Sequence, residues 1–181
     1  TQSISLMNKV GAEVTVGHSI GAQNAEEAKM FASHNLTIGL LVSLVWGALL
    51  FVFAHPVISL YKLEPEITDM AVEYLRIVAT GFPFVFLASA FTGIHNAAGL
   101  SKIPFYVSGS GLLLNIILDP LFILGFGWGT AGAAYATWLS ECAVVLLFVY
   151  QLKVRNKLWP GFRFFVRLKS TYSLKIVRIG L

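Results

Sequence analysis

Charge is the first thing this sequence is short of. Only 12% of its 181 residues are Asp, Glu, Lys or Arg, against ~25% in an ordinary soluble domain. A chain that is 56% hydrophobic, with a mean hydropathy of +0.75, reads as an integral membrane protein. Cysteine is nearly absent as well. Cys142 stands alone, which excludes an intrachain disulfide and any Cys/His metal spacing; in its apolar run it is expected to pack as a small hydrophobe. Acids end at Glu141, while eight of the 13 Lys and Arg residues fall at or after Lys153. Nucleic acid is a poor partner for that segment, because a basic stretch directly after a spanning helix has the composition of a cytoplasmic loop. The sequence also lacks a nucleophile–base–orienter set and a Gly-rich phosphate loop. Ser140 beside Glu141 is no catalytic pair, since neighbours on a helix point about 100° apart. The chain is expected not to be an enzyme and to need no cofactor. It has neither an initiator Met nor a leader pattern, and it opens in what reads as mid-helix, so a fragment is expected.

What is present is a series of long apolar runs. Residues 1–20 read as the second half of a helix, closed by Gly21-Ala22-Gln23-Asn24. Asn24 followed by Glu27 forms a capping-box-like start for the next helix, which leads into Leu36–Ala54, 19 residues without a charge. His55–Asp69 is a polar connection. A helix is expected from about Pro65, spanning 77–100, with Pro83 as a kink. Further spans are expected at 103–125 and 131–152, joined by the turn 126–130. Residues 1–152 thus form one partial and several complete spans. Gly129/Ala133 and Gly132/Ala136 are small-xxx-small pairs that permit close helix approach. Residues 153–173 form a basic linker, which either lies in part on the inner membrane surface through Trp159, Phe162, Phe164 and Phe165 or runs as a solvated loop. Lys/Arg excess alternates from loop to loop, so 153–173 is expected on the cytoplasmic side of the cell membrane.

The chemistry concentrates in Asn115-Ile116-Ile117-Leu118-Asp119-Pro120. An ionisable group inside a span costs on the order of 3 kcal/mol or more, which marks Asp119 as a functional candidate. Asn115 and Asp119 share a helix face at i, i+4. Pro120 removes the donor that the Ile116 carbonyl would otherwise have. A carboxylate, an amide oxygen and a freed backbone oxygen are together suited to a small hard cation. The competing reading is a Pro-kinked helix whose Asp bonds a neighbouring helix. In the hairpin centred on Trp128, Asp119 and Thr137 are each nine residues from the turn, so they should lie level, as should Asn115 and Glu141. Helix rotation is left open by the spacing. Glu141 either extends the cluster or faces a helix outside the chain. His34, His55 and His95 are expected in solvated or interfacial positions near loops, and His18 at the end of the first helix.

Three separated stretches carry a resemblance. They are Gly11-Ala12-Glu13 through His18–Asn24, then Asn115–Pro120, then Gly129-Thr130-Ala131-Gly132-Ala133-Ala134-Tyr135-Ala136-Thr137. In this order they resemble the multidrug and toxic compound extrusion (MATE) family. The resemblance implies an all-α integral membrane fold of twelve helices in two six-helix lobes. This chain would supply most of the amino-terminal lobe, from part of the second helix to the start of the seventh at 174–181; the first and the seventh to twelfth helices would lie elsewhere. It further implies antiport of Na+ or H+ against hydrophobic, often cationic small molecules. Asn115, Asp119 and Thr137 match the family's cation-binding positions and would be the metal ligands where the ion is Na+. The rival readings are a lipid-linked oligosaccharide flippase of the same superfamily, whose cavity would be lined with basic residues, and a non-transporting membrane scaffold. Lys9, Arg76 and Lys102 are expected towards helix ends. A half transporter without the first helix should be inactive.

Overall fold

The computed structural model describes residues 2–155, 162–166, 168, 172–174 and 176. Among them the chain is all-helical: α1 (Gln2–Gly21), α2 (Ala25–Val52), the short α3 (Ala54–Ser59), α4 (Pro65–Ala97), α5 (Lys102–Pro120) and α6 (Gly129–Tyr150). Wider π-helical turns follow α5 at Leu121–Gly125 and α6 at Gln151–Arg155. Four of these stretches are long and apolar enough to cross a membrane: Ala25–Val52, Pro65–Ala97, Lys102–Gly125 and Gly129–Val154. The protein is a multi-pass membrane protein.

Local chemistry sets the helix ends. The Asn24 side chain accepts from the Glu27 amide at 3.1 Å, and its own amide reaches the Glu27 carboxylate at 3.4 Å, so the expected cap is present. Gly99, at φ +74, reverses the chain after α4, with the Leu100 amide donating to the His95 carbonyl at 2.9 Å. The polar connection after α2 holds α3, a helical turn that the sequence pattern does not signal. Pro120 closes α5, and the ladder resumes in the wider π register, with Phe126 N–H donating to the Leu121 carbonyl at 3.0 Å.

α4 is the central element and packs against α1, α2 and α6, whereas α5 leans almost wholly on α6. Phe31, Leu36, Phe86, Phe91, Ile94 and Phe148 fill the core. Gly93 lets the α1 backbone at Lys9 approach α4, where a Cβ would clash with the Lys9 carbonyl. Polar bonds tie the same helices: Asn35 Nδ2 donates to the Asn8 carbonyl at 3.1 Å, and Asn8 Nδ2 to the Phe86 carbonyl at 3.4 Å. The apolar outer face of α5, including Phe105, Leu113, Ile116 and Ile117, is exposed as a membrane-facing surface would be.

Two expectations are corrected by the packing. His34 and His95 are not solvated: both are fully buried, with Nδ1 on the carbonyls of Met30 and Phe91 at 2.8 and 2.7 Å. Each satisfies Nδ1 on its own helix, while the buried Nε2 of His95 has no hydrogen-bond partner. Of the aromatic residues after α6, Phe164 turns into the bundle instead of lying on a membrane surface, while Phe165 stays exposed. Phe164 packs on Phe91, with ring centroids 6.1 Å apart, and Lys153 sits over its ring at 4.7 Å. Ser33 Oγ donates to the Arg163 carbonyl, and the Val166 amide to Thr37 Oγ1 at 3.2 Å. The segment therefore straps α2, α4 and α6 together. Trp159 and most of 153–181 lie outside the described residues.

Candidate functional site

The α5–α6 hairpin positions the candidate side chains. Gly132 allows α6 to abut the π turn, since a Cβ there would lie 2.8 Å from the Phe122 carbonyl carbon and oxygen. Ala136, one turn on, is fully buried. The two small-xxx-small residues thus seat α6 on the hairpin. The faces carrying Asn115 and Thr137 look at each other: Asn115 Nδ2 is 3.5 Å from Asp119 Oδ1 and 3.5 Å from Thr137 Oγ1. Both contacts lie beyond the usual hydrogen-bond range of about 2.7–3.2 Å, so the cluster is loosely held.

The direct cross-helix contact is Asn115–Thr137, about one turn from the equal-depth pairing of Asp119 with Thr137 expected from counting residues. A π turn has more residues per turn than an α turn and climbs less per residue. Leu121–Gly125 therefore brings Asn115 nearer the bend than a count at α-helical rise implies.

Below this contact lies a chamber of about 430 Å³ between α1, α4, α5 and α6. Asn115, Thr137, Ser140 and Glu141 line one side, and Lys9, Ser89 and Thr92 the other. Asp119 does not line it and connects to it through Asn115. The hydroxyls of Thr92, Thr137 and Ser140 donate to carbonyls one turn back on their own helices, at 2.8, 3.0 and 2.8 Å. Their lone pairs are left as acceptors, so the chamber is rich in oxygen acceptors. Among the described residues no cluster of three or more His, Cys, Asp or Glu side chains has the makings of a transition-metal site.

Two features of the chamber go beyond the sequence reading. Lys9 is not at a helix margin but in the chamber wall, because α1 crosses α4 at Gly93 and turns that face of α1 inward. Its sequence partner Glu13 is engaged elsewhere, accepting from Asn96 Nδ2 at 2.9 Å. Ser89 and Thr92 are the second feature; two hydroxyls at i, i+3 in an otherwise apolar span are the signal that marks them.

A bundle of spanning helices enclosing an oxygen-rich chamber has the build of a membrane carrier. The profile of the MatE family matches residues 1–121, and the chain belongs to that family, whose members are transporters and not enzymes. The matched stretch includes Asn115 and Asp119, while Thr137 and Glu141 lie beyond it. The chain is 32% identical to the Probable multidrug resistance protein YoeA of Bacillus subtilis (strain 168), over 94% of this chain and 38% of that protein. It is 30% identical to the Probable multidrug resistance protein NorM of Thermotoga maritima, over 99% of this chain and 39% of that one. The chain thus spans about two fifths of the length of these curated relatives. A solved structure described as the inward-facing conformation of a multidrug resistance MATE family transporter superposes with a TM-score of 0.89. The identity is 25%, over 98% of this chain and 41% of that one. The fold is therefore that of one lobe of a MATE transporter.

Proposed function

We propose that this chain forms the amino-terminal lobe of a secondary active exporter that moves hydrophobic, often cationic compounds out of the cell in exchange for Na+ or H+. The convergence of Asn115 on both Asp119 and Thr137 carries this reading. Asp119 supplies the charge, and the loose geometry leaves room for a small ion. Half a turn of the Asn115 amide would present its carbonyl oxygen to the same space, beside the carboxylate and the Thr137 hydroxyl. Those three groups fit Na+ as part of a coordination shell, and Asp119 alone suffices for H+. Glu141, one turn from Thr137 in the chamber wall, would extend the same acceptor surface. A coupling ion changes the carrier's shape only to the extent that it binds two conformations differently. A site shared by α5 and α6 meets that requirement, since any shift between the two helices changes it. The relatives named as multidrug resistance proteins support the substrate class.

In this reading the lobe sits in the plasma membrane, residues 153–173 form a cytoplasmic linker, and 174–181 begin the next span. Lys9 in the chamber is the one observation that favours the flippase reading, because a basic wall suits a pyrophosphate. A single ammonium facing Glu141 is balanced, however, and does not make a basic cluster. Expression of the full-length transporter containing this lobe in a pump-deficient bacterium separates the two. Lower accumulation of cationic dyes supports the exporter, and a response confined to cell-wall precursor export supports the flippase.

A further inference from the structure

Lys9 is the charged group of the chamber that the Asn115–Asp119–Thr137 cluster does not use. Its place is fixed by packing, because the α1 backbone at Lys9 is pressed onto α4 at Gly93, where an added Cβ would run into the Lys9 carbonyl. The side chain is half-buried and lines the chamber. Its ammonium carries three N–H donors, and among the described residues none of them makes a salt bridge or a hydrogen bond. Glu13, one turn further along α1, is held by Asn96 Nδ2 at 2.9 Å and does not pair with it. Across the chamber the carboxylate of Glu141 is likewise in no salt bridge or hydrogen bond among the described residues.

Two opposite charges thus share one space without touching. A sphere of 430 Å³ is roughly 9 Å across, a separation at which charges away from bulk water still attract each other. The groups between them favour a positive charge. Thr92, Thr137 and Ser140 commit their hydroxyl protons to carbonyls of their own helices, so they offer the chamber acceptor lone pairs. An anion drawn in by Lys9 would meet that wall and the Glu141 carboxylate. An ammonium and a bare alkali cation need the same ligands, oxygens that accept or coordinate. The four-carbon stem of lysine is flexible, so the ammonium can range over those oxygens. An unpaired charge among apolar helices is costly, and approach to Glu141 relieves that cost on both sides.

We propose that Lys9 is a tethered cation built into the chamber: its ammonium occupies the acceptor surface around Glu141 while no ion is there, and competes with the ion that enters. This deepens the exporter reading and rests on it for the identity of that ion as the coupling ion. The test is equilibrium binding of Na+ to the purified full-length transporter in lipid nanodiscs, followed by calorimetry. Lys9→Gln and Lys9→Met each remove the competitor and should bind Na+ about tenfold more tightly than wild type. Lys9→Arg keeps the charge and should stay within twofold of wild type. Adding Glu141→Gln to Lys9→Gln should abolish the gain, since the vacated surface then lacks its carboxylate. The proposal is refuted if both neutral variants bind Na+ as wild type does, if the gain survives without the Glu141 charge, or if Lys9→Arg gains as much as Lys9→Gln. A Glu141-dependent gain together with wild-type efflux by Asp119→Asn under ion gradients would sink the coupling reading and leave the tethered cation standing. Loss of coupled efflux in Asp119→Asn with no gain in Lys9→Gln would do the opposite.

Discussion

Gly132→Ala is the substitution whose consequence follows most directly from the packing. An added Cβ would sit 2.8 Å from the carbonyl carbon and oxygen of Phe122 and 3.0 Å from the Ile123 amide. Ordinary contact begins near 3.4 Å, so the methyl is short of room by about 0.6 Å, against backbone rather than a side chain that could swing away. α6 must therefore slide off the π turn, or the turn must open. Overpacking of this kind costs roughly 1–3 kcal/mol. The same shift moves Thr137 relative to Asn115, which are already 3.5 Å apart, so ion coupling should fall together with stability. Gly109 on α5 is the control, since nothing lies within 4 Å of its would-be Cβ. Gly109→Ala should stabilise by about 0.5–1 kcal/mol through helix propensity alone. Reversible unfolding in mixed micelles measures both. If Gly132→Ala unfolds within about 0.5 kcal/mol of wild type, or if the two variants behave alike, the tight seat of α6 on the π turn is wrong.

Three further outcomes are expected. Asn115→Ala and Thr137→Ala should each weaken ion coupling less than loss of Asp119, and a double-mutant cycle between them should show a coupling of about 0.6 kcal/mol; additive effects would break the cross-helix link. Ser33→Ala combined with Thr37→Val removes both hydroxyl contacts to residues 163 and 166 and should raise amide exchange across 162–166 while α2 stays protected. Unchanged exchange would mean that Phe164 alone holds the strap. In a Cys142→Ala background, a cysteine at Lys157 should resist an impermeant reagent in intact cells and one at Trp128 should react; the reverse pattern would invert the orientation.

Much of the fold was legible because a membrane span declares itself by length and lack of charge. The α2 cap at Asn24, the start of α4 at Pro65 and the break at Pro120 are local chemistry, and local chemistry is written in the sequence. Asn115, Asp119 and Thr137 were legible for a similar reason: polar groups are costly inside an apolar helix, and their i, i+4 spacing puts two of them on one face. What escaped depends on how helices cross. Lys9 faces inward because Gly93, 84 residues away, admits the α1 backbone. His34 is buried where Tyr172 covers it, and His95 where Phe148 of α6 packs on its ring, both contacts with residues far away in sequence. The polar chamber assembles from α1, α4, α5 and α6, and no window of sequence contains more than a part of it.

Everything proposed about ion coupling rests on Asp119 carrying the ion. Asp119→Asn preserves the size of the side chain and removes its charge, and a neutral amide is easier to bury than a carboxylate, so membrane insertion should remain near normal. The measurement is dye efflux from proteoliposomes holding the full-length transporter, under an imposed Na+ gradient and separately under an imposed H+ gradient. Wild type should respond to at least one gradient, and Asp119→Asn should respond to neither. Wild-type efflux by Asp119→Asn under both gradients would contradict the coupling role and leave the carboxylate as a packing residue between α5 and α6.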